Sequence, residues 1–242
     1  MNRVICAPCG GLMNHVRWLT LMSPEFKLPF KGKLEFMKTV YTPKRTPFEW
    51  LQNEYLYRER PFIKNLILGT HYTEDCLNLE QPRKILILVP SPELSFAHYL
   101  KFNPSLNGLL KLRIKQPYLT AEDIKNLYLL GILDHNDHNK LYEISNDDTI
   151  TLNIDKLYTN RELDIDVYDA MINFFEISNV YEVANEVHNM WFDLQEQGKK
   201  LMLSLPTDAK DVENYWRLNH IEAINQSDYD IALKLIKETY GE

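Results

Sequence analysis

At 242 residues, with 45% hydrophobic and 25% charged side chains, the chain has an ordinary globular composition and enough length for one large domain with its own core. A formal net charge of -7 argues against a general nucleic-acid binder, because neutralising phosphates requires clustered Lys and Arg, and leaves room for a local basic pocket. No window approaches the roughly 18 uninterrupted apolar residues of a membrane span, the apolar stretch after Arg3 is soon broken by Pro8, Asn14, His15 and Arg17, and three cysteines make no disulfide framework, so a cytoplasmic protein is expected.

The first element is a short apolar strand, Arg3 to Ala7, which runs through Pro8-Cys9-Gly10-Gly11 into the amphipathic run Met13 to Leu19. Two glycines let the backbone turn without Cβ clashes, so this strand-turn-helix is a candidate anion cradle in which N–H groups and a helix start converge. A polar, Pro-punctuated connection follows, up to Thr46-Pro47, an N-cap and first-turn proline that start a helix over Phe48 to Arg60.

Ile63 to Leu68 reads as a buried strand ending at Gly69-Thr70-His71, and Lys84 to Val89 reads as another, stopped by Pro90. Ser91-Pro92-Glu93 opens a helix by the same capping logic, and Thr120-Ala121-Glu122-Asp123 opens a further one. Thr149 to Ile154 is the next strand. Ile165 to Phe175 and Val180 to Gln197 are strongly amphipathic helices, and Ser227 starts a terminal helix over Asp228 to Tyr240.

Strands alternating with helices in this way predict an α/β fold, a three-layer αβα arrangement around a mainly parallel sheet, with a helix-rich carboxy-terminal third over about residues 161–242 of a single domain 1–242. In such sheets ligands bind at the carboxyl ends of the strands, where Cys9 to His15, Gly69 to Tyr72 and Pro90 to Glu93 all fall.

Three of these segments, in the same order, resemble the sulfotransferase family, a branch of the P-loop nucleotide-binding fold. Gly10-Gly11-Leu12-Met13-Asn14-His15 followed by Arg17-Trp18-Leu19 is similar to the loop and helix that hold the donor's 5′-phosphosulfate. Gly69-Thr70-His71 resembles the family's Lys-Thr-His element, whose histidine is the general base. Ile85 to Leu94 with Ala97-His98-Tyr99 resembles the strand, Arg-x-Pro turn and helix that bind the nucleotide 3′-phosphate, and Thr149 to Leu157 is similar to the family's late strand and acidic-Leu segment.

The resemblance implies His71 as catalytic base, donor contacts from Gly10, Gly11, Asn14, His15, Arg17, Ser91 and His98, and 3′-phosphoadenosine 5′-phosphosulfate as co-substrate with no metal. A small-molecule or carbohydrate acceptor would receive the sulfuryl group on a hydroxyl or amine, and imidazole suits the base because it titrates near neutral pH. Gly11 stands where the family places its loop Lys, Pro90 where it places the nucleotide-binding Arg, and His98 near an expected Ser. These departures support an alternative, a P-loop-derived nucleotide- or partner-binding protein without catalysis.

Other patterns lead elsewhere. Cys6-Ala7-Pro8-Cys9 has the spacing of a redox dithiol, but thioredoxin-like folds place a strand and a helix ahead of it. Cys6, Cys9, His71 and Cys76 lack the second tight pair of a zinc site, and Asp134 to His138 reads as a hydrated loop. Val180, Ala184, Val187, His188, Trp191 and Leu194 recur at helical spacing and read as a packing stripe.

Overall fold

The computed structural model describes residues 1–8, 11–29, 32–46, 66–71, 76, 83–100, 116, 118–129, 148–211 and 225–241. Four strands, β1 (Asn2–Cys6), β2 (Leu68–Thr70), β3 (Arg83–Val89) and β4 (Thr149–Asn153), form one sheet in the order β2-β1-β3-β4, and every pairing is parallel. The helices are α1 (Met13–Leu21), α2 (Lys33–Val40), α3 (Pro92–Leu100), α4 (Ala121–Leu129), α5 (Asp155–Thr159), α6 (Ile165–Phe175), α7 (Tyr181–Leu203) and α8 (Gln226–Tyr240).

The predicted parallel strands thus lie side by side, and their continuous apolar character has a direct cause. Ile85, Leu86, Ile87 and Leu88 are all fully buried, so consecutive residues of β3 bury against opposite faces. Ile5, Ala7, Leu86 and Leu88 join a core built with α1, α2, α6 and the first half of α7, whereas Val4, Cys6, Ile85 and Ile87 meet Cys76 on the other face. A separate helical core joins Phe96 of α3 and Tyr128 of α4 to Leu194 and Met202 of α7 and to Tyr229 and Ile236 of α8.

Charge fixes one corner of this packing. Arg3 Nε and Lys84 Nζ, from the starts of neighbouring strands, donate to the carbonyls of Phe175 and Phe174 at the carboxyl end of α6. Both cations meet the negative end of that helix, and Lys84 also pairs with Glu176 at 2.6 Å.

Several boundaries differ from expectation. Of the second strand expected over Ile63 to Leu68, residues 63–65 lie outside the described residues, Leu66 and Ile67 lie in a turn, and pairing with β1 starts at Leu68, opposite Val4. The carbonyl of Ile67 accepts from the Arg17 guanidinium at 2.8 Å. The connection after α1 contains a helix, α2, and the terminal helix starts at Gln226, capped by the Asn225 side chain, which accepts from Asp228 N, not by Ser227. The helix expected over Phe48 to Arg60 lies outside the described residues. At α4 the expected start holds, with Thr120 Oγ accepting from Asp123 N at 3.1 Å and the Asp123 carboxylate accepting from Thr120 N at 2.8 Å, a reciprocal capping box. Among the described residues no helix is long and apolar enough to cross a membrane.

Candidate functional site

The strand order places the candidate site. From β1 the chain moves to β2 on one side, then crosses back to β3 and β4 on the other, so the carboxyl ends of β1 and β3 flank a switch point. Ala7 continues β1 past the ladder by donating to Thr70 O at 3.2 Å, and Gly11 N then turns back to Pro8 O at 2.8 Å. A Cβ on Gly11 would come within 2.8 Å of that same oxygen and 2.9 Å of Ala7 Cβ, so the turn closes only with glycine there. Leu12, in the left-handed region at φ 55°, leads into α1 without a side-chain cap, and the amino end of α1 opens at this edge.

His71 follows the last residue of β2, and its Nδ1 lies 2.7 Å from Ala7 O. A carbonyl only accepts, so in the neutral ring Nδ1 carries the hydrogen and Nε2 carries the basic lone pair. Asn14 and Arg17, one turn apart on α1, face β2. Arg17 is 4% exposed, and its guanidinium donates to Ile67 O and, at 3.3 Å, to Asn14 Oδ1. Burial alone pushes Arg17 down to about 10, and its Nε has no hydrogen-bond partner.

At the end of β3, Ser91 N and Oγ donate to the two oxygens of Asp155 at 2.6 and 2.5 Å. Burial pulls the Asp155 carboxyl upward, but the bonds from Ser91 and Asn153 outweigh it and hold the group below the ordinary carboxylate range. This carboxylate therefore sits ionised where α3 begins, tying the β3–α3 corner to the start of α5.

His15 and His98 go elsewhere. His15 stacks on Trp191 with ring centroids 4.2 Å apart, its Nε2 lies 2.9 Å from His188 Nδ1, and its Nδ1 lies 3.3 Å from Tyr41 Oη. His188 Nε2 in turn reaches Asn160 O at 2.9 Å. His98 packs edge-on to Tyr158 and beside Trp191. Burial, then His188, then His98 hold His15 well below its ordinary value, and burial also lowers His188 against the opposing pull of the Asn160 carbonyl.

The structure thus brings Gly11 and His71 to one edge of the sheet, lays Arg17, bonded to Asn14, alongside β2 between Ile67 and Gly69, and takes His15 and His98 into a buried aromatic cluster. Ser91 lies at the end of β3, engaged by Asp155, and Gly10 with Cys9 lies outside the described residues. Sequence reasoning did not single out Asp155 or Tyr41, nor give His188 more than a packing role. Asp155 had a signal, an acid directly after a strand on the ligand-binding edge. Among the described residues no group of three or more His, Cys, Asp or Glu is arranged to hold a metal. No family model, curated protein or solved structure matches the chain.

Proposed function

We propose that this protein transfers a sulfuryl group from an adenosine phosphosulfate to a hydroxyl or amine acceptor, on a three-layer, P-loop-type fold acting in the cytoplasm. The observation that carries this reading is the bond from His71 to Ala7 O, which couples the β2 end to the β1 turn and leaves the basic lone pair on Nε2. The first strand inside a parallel sheet, with its glycine turn feeding a helix start, supports the donor half of the site.

In the reaction the acceptor oxygen attacks sulfur in line, its proton passes to His71 Nε2, and the sulfur–oxygen bond to the donor phosphate breaks. The phosphate oxygen leaves with the electron pair as adenosine 3′,5′-bisphosphate. Amides at the start of α1 stabilise the charge that accumulates there.

The test is transfer of radiolabelled sulfuryl from 3′-phosphoadenosine 5′-phosphosulfate to a panel of phenol, sugar and amine acceptors. His71→Ala should lower turnover by about 10²- to 10⁴-fold while nucleotide affinity stays nearly constant, the pattern of lost base catalysis. Unchanged turnover in that variant removes His71 from the mechanism. Nucleotide binding with no transfer to any acceptor favours the second reading, a binding protein, which draws support from Pro90 in place of a cation and from the commitment of Ser91 to Asp155.

A further inference from the structure

A guanidinium buried with no countercharge among the described residues requires an explanation. Arg17 is 4% exposed, no carboxylate among the described residues pairs with it, and its Nε is unpartnered. Taking an ion out of water costs several kcal/mol unless an opposite charge compensates, and two neutral oxygens offset only part of that. The position makes matters worse, because side chains on a helix lean toward its amino end. Arg17 Nη1 reaches Asn14 in the first turn of α1, so a full positive charge lies beside the positive end of the helix dipole.

The neighbouring backbone is shaped to admit it. A Cβ on Gly69 would lie 2.7 Å from Arg17 Cδ and 3.0 Å from Nη1, so the side chain crosses β2 where only glycine leaves room, two residues before His71. One of its bonds is firm, at 2.8 Å to Ile67 O, and the other, at 3.3 Å to the neutral and half-buried Asn14 amide, is the exchangeable one.

We propose that Arg17 is the countercharge of the oxyanion held at the amino end of α1, a binding residue whose Nη1 exchanges Asn14 Oδ1 for a sulfate or phosphate oxygen. This rests on the reading of the edge as a donor site and deepens it, by assigning to the helix the positive charge that the loop, with Gly11 in place of Lys, does not supply. A charge-assisted bond to an oxyanion is shorter and stronger than the amide contact it replaces.

The test is thermal unfolding of the full chain titrated with sodium sulfate or sodium phosphate, with ionic strength held constant by sodium chloride. The wild type should show saturable stabilisation, and Arg17→Gln should weaken the apparent affinity at least tenfold. Asn14→Asp, which gives Arg17 an internal carboxylate, should abolish the anion response, and this variant decides the matter if Arg17→Gln does not fold. A variant that merely loses a structural tie would unfold at lower temperature yet keep the same anion affinity, and that result overturns the proposal. Adenosine 3′,5′-bisphosphate is run in parallel. Tight nucleotide binding undiminished in Arg17→Gln or Asn14→Asp refutes the role of Arg17 alone, while a wild type indifferent to sulfate, phosphate and nucleotide refutes the donor site as a whole.

Discussion

Acidification should unlock the buried relay formed by Tyr41, His15, His188 and Asn160, and the direction of its hydrogen bonds makes the effect calculable. The Asn160 carbonyl only accepts, so His188 Nε2 carries hydrogen and His188 Nδ1 accepts from His15 Nε2, leaving His15 Nδ1 to accept from the Tyr41 hydroxyl. Every ring in this chain is neutral. Protonating His15 Nδ1 turns the Tyr41 hydroxyl from donor to acceptor, whereas protonating His188 Nδ1 sets N–H against N–H across 2.9 Å.

Among the described residues the titratable groups facing His15 are His188 on α7, His98 on α3 and Tyr41 after α2, and none of them is an anion that would stabilise an imidazolium. Both folded values lie below 6.5, so the unfolded chain binds more protons as the pH falls. Stability is therefore complete above about pH 7 and declines through 6.5 toward the lowered folded values. A ring that stays neutral throughout costs about 1.4 kcal/mol between pH 7.5 and 5.5, which is the upper bound for what each histidine contributes. Urea unfolding at pH 7.5, 6.5 and 5.5 measures this directly. His15→Phe keeps a ring against Trp191 but removes one titrating group, so it should be less stable than wild type at pH 7.5 by about 1–3 kcal/mol and show a shallower slope toward acid. Identical pH dependence in the variant and the wild type would refute the reasoning.

Two substitutions probe the scaffold of the edge. Gly11→Ala places a Cβ against Pro8 O and Ala7 Cβ at 2.8 and 2.9 Å, and a backbone oxygen cannot rotate away, so urea unfolding should show a loss of about 1–3 kcal/mol together with a weaker sulfate response. Asp155→Ala leaves Ser91 N and Oγ without their acceptor and should lower stability at pH 7 by about 1–3 kcal/mol; since bonding holds the Asp155 carboxyl low, the difference from wild type should shrink as the pH falls through its folded value.

How much of the fold the sequence disclosed depended on how strongly each element's burial was written into it. β3 was legible because four consecutive residues are fully buried, which makes an apolar run that no exposed connection would carry. α6 was legible to the residue, since Asp164 caps it and Tyr168, Met171, Ile172 and Phe175 fall on one buried face. α2 was not, because only Met37 and Val40 of its eight residues are buried, and Pro24, Pro29 and Gly32 ahead of it all read as loop. The β2 shift has a different origin. Leu66 and Ile67 are as apolar as a strand requires yet turn toward α1, where the outward-facing Ile67 carbonyl accepts from an arginine fifty residues earlier, a long-range bond that local pattern does not encode.

The candidate site divides along the same line. Parallel strands deliver their carboxyl ends to one edge, so naming the residues after β1, β2 and β3 was enough to assemble Gly11, His71 and Ser91 there. Side-chain direction on α1 was the harder part, though half of it was available. At 3.6 residues per turn, positions 15 and 17 point about 200° apart, so His15 and Arg17 cannot both serve one ligand. His15 shares its face with the buried Trp18 and Leu19 and belongs to the core, whereas Arg17 shares its face with Asn14 and reaches β2. Spacing alone would have separated them. That no acid among the described residues meets Arg17 is a tertiary fact, because the chain carries 34 Asp and Glu and only the fold decides which cations they reach.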